Sequence, residues 1–141
     1  MLILHHVMGY EKVEHTADLM IRCRADTLEE CFQDAAYAMF DQMADLSKVG
    51  TELGLEVEVD GEDNEQRLYA LLSELLYLHD AEMLLFKEFQ VVFQGEKVRC
   101  HARGERMDPS RHSLRTEIKA VTYHMLQVDP SGKELTVIFD L

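Results

Sequence analysis

Apolar residues recur along the chain with two spacings, and the changes of spacing mark out its elements. From Leu28 the spacing is helical: Leu28, Cys31, Phe32, Ala35, Ala36, Met39, Phe40 and Met43 follow at alternating steps of three and one. Such steps line one face of a 3.6-residue turn. Thr27 with Glu30 three positions on is a capping box, so a helix is predicted over Thr27 to Asp45. A second helix is predicted from about Glu65 to Met83. Leu68, Leu71, Leu72, Leu75 and Leu78 form its buried stripe, and Glu74, His79, Asp80 and Glu82 its solvated face.

Elsewhere the period is two. Leu19, Ile21, Cys23 and Ala25 alternate with Met20, Arg22 and Arg24, and Leu53, Leu55, Val57 and Val59 alternate with Gly54, Glu56 and Glu58. Phe89, Val91 and Phe93 form a third set, and Val98, Cys100 and Ala102 a fourth. Each set reads as a half-buried strand. Gly95-Glu96 predicts a hairpin turn between the third and fourth. A second hairpin is predicted from Tyr123–Val128 and Leu135–Phe139, joined by Asp129-Pro130-Ser131-Gly132, with Pro for a fixed φ and Gly for a positive one. Thr116 to Thr122 fits strand or helix. Strands follow one another too often for βαβ alternation, so the expected class is α+β: mostly antiparallel sheet packed with two main helices.

The 141 residues fit one domain, and 47% hydrophobic residues suit a globular core. The formal charge of −13 opposes direct binding to nucleic acid or anionic membranes, because a binder needs cations to displace condensed counterions. Basic protein surfaces and metal cations are the partners it favours. Cys23, Cys31 and Cys100 are an odd count without C-x-x-C spacing and sit among apolar neighbours, so buried free thiols are expected. The opening Met1 to Met8 lacks a basic n-region, and His5 and His6 interrupt its apolar run, so it does not read as a secretory signal. No apolar run is long enough for a membrane span. A cytoplasmic protein is expected, with a nuclear pool allowed.

Catalytic motifs are lacking: there is no Gly-rich phosphate loop, no G-x-S-x-G and no H-E-x-x-H. Two acidic stretches remain. Glu14, His15 and Asp18 fall within five residues; the carboxylates suit a hard cation, and His15 a softer one or a hydrogen bond to a carboxylate. Thr16 and Asp18 equally fit ordinary turn or capping roles. At the other end, alternation continues through Val137 and Phe139, so Asp140 and Leu141 are expected to be pinned in a sheet. The Asp140 side chain and the Leu141 α-carboxylate would then repel each other, and a divalent cation would relieve them. Oxygen-only ligation points to Ca²⁺, Mg²⁺ or Mn²⁺. Gly104 to His112 reads as a solvated connection. Lys119, between Ile118 and Ala120, is an exposed strand residue or, if aimed at the acidic cluster, a phosphate or partner contact.

Taken together, Tyr10-Glu11, His15-Thr16-Ala17-Asp18, Gly104-Glu105, His112, the run Thr116 to His124 and the final Asp140-Leu141 resemble the archease family, from about Gly9 to Leu141. Glu14 stands where that family usually has Asp, and residues 1–8 have no counterpart in it and form a leader that can be flexible. Residues 9–141 would then be a single archease-like domain. The resemblance implies a non-catalytic accessory protein that activates an RtcB-type GTP-dependent RNA ligase in tRNA splicing or RNA repair, promoting guanylylation and multiple turnover. It implies a metal site from Asp18, Asp140 and Leu141, and a functional role for Lys119. A chaperone-like modulator of RNA-modifying enzymes, or a metal-dependent hydrolase, is the alternative.

Overall fold

The computed structural model describes residues 9–14 and 18–141; the leader 1–8 and His15 lie outside the described residues. The element order is β1 (Tyr10–Glu14), β2 (Asp18–Arg24), α1 (Leu28–Met43), a 3-10 turn (Leu46–Lys48), β3 (Leu53–Asp60), α2 (Asn64–Glu82), β4 (Leu84–Gln94), β5 (Lys97–Arg106), β6 (Ala120–Val128) and β7 (Glu134–Asp140). The strands form two antiparallel sheets, β1-β2-β7-β6 and β3-β5-β4, so the α+β expectation holds.

Both helices start where their caps dictate. The Thr27 hydroxyl oxygen accepts from the Glu30 N–H at 3.2 Å, and the Asp63 carboxylate accepts from the Gln66 N–H at 2.8 Å. Each bond satisfies an amide that has no partner within the first turn. The α1 stripe is buried from Cys31 to Met43, and Phe40 meets Phe86 edge-on at 5.6 Å. In α2 the fifth buried leucine is Leu76, and the predicted Leu78 is only half-buried. The helix packs against β3 of one sheet and β6 of the other, which widens its buried face beyond a single stripe. His79, expected on the solvated face, is half-buried and bonded to the Leu84 carbonyl at 2.8 Å.

Strand β4 starts five residues before the predicted alternation. Leu84, Leu85 and Phe86 are all buried, and an unbroken apolar run carries no period-two signal. The β4–β5 register shifts between Phe86 and Glu88, and Gly104 faces the irregular stretch. A Cβ at Gly104 would stand 1.9 Å from the Leu85 carbonyl oxygen, so only glycine fits there. The two expected hairpin glycines, Gly95 and Gly132, have φ of 62° and 75°. The ambiguous stretch divides at Ala120: residues 116–119 are irregular and strand β6 begins after them. All three cysteines are buried and free. Among the described residues no helix is long and apolar enough to cross a membrane.

Candidate functional site

Strands β2 and β7 lie side by side at the centre of the four-stranded sheet, and their core-facing side chains set the register. Leu19 pairs with Phe139, Ile21 with Val137 and Cys23 with Leu135, all buried. Because strand side chains alternate, that same register places Asp18 directly opposite Asp140 at the last rung. Opposed residues of this kind bring their Cβ atoms to about 4.5–5.5 Å. On the other side of Asp140 stands Ala120, which brings no charge. The end of β7 is held down by the Lys119 N–H, which donates to the Asp140 carbonyl at 2.8 Å. The two acidic ends of the sequence therefore meet at one corner of one sheet.

Asp18 is half-buried, and Asp140 and Leu141 are exposed. Among the described residues no cation lies within ion-pair distance of either aspartate. A cavity of about 270 Å³ opens beside the pair, lined by Lys12, Asp18, Leu19, Gln42, Thr116 and Leu141 among others. Gln42 brings the C-terminal end of α1 to its wall. That helix has no basic residue of its own in its last turn, and the Arg115 guanidinium, donating to the Asp41 carbonyl at 3.0 Å, supplies a cation to its negative dipole end from outside. Among the described residues no three His, Cys, Asp or Glu side chains converge as a metal cluster. The groups at the corner that would hold a metal are the two opposed aspartates, with Leu141 next to Asp140 on the cavity wall. That donor set is all oxygen, which suits a hard divalent cation and not zinc.

Of the remaining predicted residues, His15 lies outside the described ones. Glu14 ends β1, with its Cα opposite Leu19. Lys119 lines a different, larger cavity of about 590 Å³, together with His79 and Asp80. Thr116 contributes to both cavities. The segment between them caps α1 from outside: the Arg115 N–H donates to Met43 O at 2.7 Å and the Thr116 N–H to Gln42 O at 3.0 Å.

Two polar networks had no local signature in the sequence. The Tyr10 hydroxyl donates to Asp41 Oδ2 and accepts from Gln42 Nε2 at 3.1 Å, tying β1 to α1. Burial, then the neighbouring Asp41, pushes the phenol up to about 12. The second network corrects the expectation of a solvated connection from Gly104 to His112. Gly104–Arg106 completes β5, and the His112 side chain is fully buried. Its Nδ1 accepts from the Asp108 N–H at 2.8 Å, so the ring proton sits on Nε2, which bonds Glu105 Oε2 at 2.9 Å. Glu105 also accepts from Arg111 Nη2 and from the Gly50 N–H. Those three donors, Arg111 foremost, hold its carboxyl down at about 2.

The model of the Archease protein family matches residues 10–141, which covers both ends of the acidic corner. The archease of Pyrococcus furiosus is 42% identical over 130 residues, spanning 88% of this chain and 92% of that one. An archease-like protein of Drosophila melanogaster is 36% identical over 142 residues, spanning 95% and 91%. Among solved structures, protein 1598 of Methanobacterium thermoautotrophicum superposes with a TM-score of 0.83 at 36% identity, covering 96% of this chain and all of that one. A Thermotoga maritima protein described as an archease and possible chaperone shares the fold, at a TM-score of 0.60 and 21% identity over 97% of this chain. With the family pattern running from the first strand to the acidic end of the last, this chain belongs to the archease family.

Proposed function

We propose that this archease is a non-catalytic, cation-binding activator of an RtcB-type GTP-dependent RNA ligase, acting in the cytoplasm on tRNA splicing or RNA repair. The observation that carries the reading is the register that sets Asp18 opposite Asp140, with Leu141 directly after that strand on the cavity wall. Asp18, Asp140 and the main-chain oxygens of Leu141 would hold Ca²⁺, Mn²⁺ or Mg²⁺. The bound ion would neutralise the carboxylates and let the corner approach an anionic, nucleotide-bearing active site. Glu14 and His15 sit beside this corner in sequence and would support it, and Lys119 would contact the ligase. The charge of −13 favours a basic partner surface over RNA itself.

A multiple-turnover ligation assay tests this. Wild type should stimulate the ligase, and Asp18→Ala should not, while both keep the same circular dichroism spectrum. Full stimulation by Asp18→Ala would remove the cation site from the mechanism. A chaperone-like role is the second reading. It is favoured by apolar side chains left exposed at Tyr77, Leu114, Tyr123 and Met125, and by the description of the Thermotoga maritima relative. Suppression of aggregation of an unrelated client, unaffected by Asp18→Ala, would select it.

A further inference from the structure

The larger cavity, of about 590 Å³, has no part in the acidic corner apart from the shared Thr116. Its apolar lining comes from Met43 and Ile118, both buried, with Met107 half-buried and Leu114 exposed. Its polar wall is more informative. The Nδ1 of His79 is bonded to the Leu84 carbonyl at 2.8 Å. A carbonyl only accepts, so Nδ1 carries the ring proton, and the neutral ring keeps its lone pair on Nε2. That Nε2 has no partner among the described residues, and the ring lies edge-on to Phe40 at 6.0 Å, which fixes its direction.

Asp80 and Glu117 line the same wall, and among the described residues neither side-chain carboxylate has a hydrogen bond or an ion pair. Of the two cations present, Arg115 is already shared by Asp41 at 3.5 Å and Asp45 at 3.8 Å. Beside Lys119 the wall therefore keeps an excess of carboxylate. An anionic ligand would be repelled there. A cation with a long apolar stem is matched at both ends.

We propose that this cavity is a socket for an arginine side chain presented by a protein partner. The methylene stem would lie along Met43, Met107 and Leu114, as long basic side chains cover apolar surface elsewhere. The guanidinium carries five donors in a planar fork and is weakly hydrated, which suits acceptors spread over His79 Nε2, Asp80 and Glu117 better than a compact ammonium would. The chain's charge of −13 draws basic surfaces toward it over longer range. This socket does not depend on the ligase reading, because its test contains no ligase.

The test is a titration of the full chain with N-acetylarginine methylamide, followed by NMR at the His79 ring and the Met43 and Met107 methyl groups. Saturable shifts at all three are expected. The affinity should drop at least fivefold in the double variant Asp80→Asn, Glu117→Gln, whose sites are exposed and leave the fold intact. N-acetylglutamate methylamide and inorganic phosphate should leave the three signals unmoved. No saturable shift with the arginine amide, undiminished affinity in the double variant, or equal binding of the glutamate amide or phosphate would each overturn the proposal.

Discussion

The Glu105 network makes a quantitative prediction through the variant Glu105→Gln. One carboxylate oxygen accepts from Arg111, and the other accepts from the Gly50 N–H and from His112 Nε2. An amide keeps one acceptor oxygen and sets an NH₂ group where the second oxygen stood. The least costly arrangement turns that NH₂ toward Arg111, whose side chain is 54% exposed. Losing an exposed pair of this kind costs about 0–1 kcal/mol. The two bonds that remain lose their charge assistance, at about 1 kcal/mol each. The sum is about 2–3 kcal/mol, which lowers Tm by roughly 5–10 °C for a domain of this size. The pH dependence has a fixed sign. The folded carboxyl is depressed to about 2 from the ordinary 4.5, so its stabilisation is complete above pH 4.5 and is lost as the pH falls toward 2. Urea denaturation of wild type and variant at pH 7, 4 and 3 reads both effects. A difference below about 0.5 kcal/mol at pH 7, or one that does not shrink by pH 3, would refute the reasoning.

Asp140→Asn should stabilise the chelator-treated protein by about 0.2–1 kcal/mol, because it relieves two like charges directly opposed across β2 and β7; thermal melts in EDTA decide this, and a lower melting point would count against it. Gly104→Ala should cost several degrees in the same melts, because a Cβ there meets the Leu85 carbonyl oxygen at 1.9 Å, and an unchanged Tm would show that the β4–β5 ladder yields easily. Met83→Gly should raise stability by about 0.5–1 kcal/mol in denaturant titration, because Met83 caps α2 with φ 57° and an exposed side chain.

Local signals in the sequence were sufficient where an element's own neighbours determine it. Thr27 and Glu30 announce α1, and Gly95 and Gly132 announce turns, because capping and positive φ are decided within a few residues. The start of β4 was hidden because Leu84, Leu85 and Phe86 are buried together and leave no alternation to read. His112 was misjudged because its surroundings are tertiary: its carboxylate partner lies on β5, and Gly50, which shares that carboxylate, lies 55 residues away from it. The acidic corner is an intermediate case. The alternation of Leu19, Ile21 and Cys23, and that of Leu135, Val137 and Phe139, each fix which side chains face inward. That these two strands are neighbours, 110 residues or more apart along the chain for the outer rungs, is topology, and no periodicity encodes it. For the same reason the place of Lys119 at the second cavity, in the irregular stretch before β6, could not be read from the local apolar pattern.

Asp18, Asp140 and Leu141 are proposed to make one cation site. Calorimetric titration of Ca²⁺ and of Mn²⁺ into the wild-type protein and into Asp18→Asn tests it most directly. Wild type is expected to bind one equivalent of at least one of the two ions, and Asp18→Asn is expected to lose that heat while melting as a folded domain. Equal binding by both proteins, or no binding by wild type, would contradict the site.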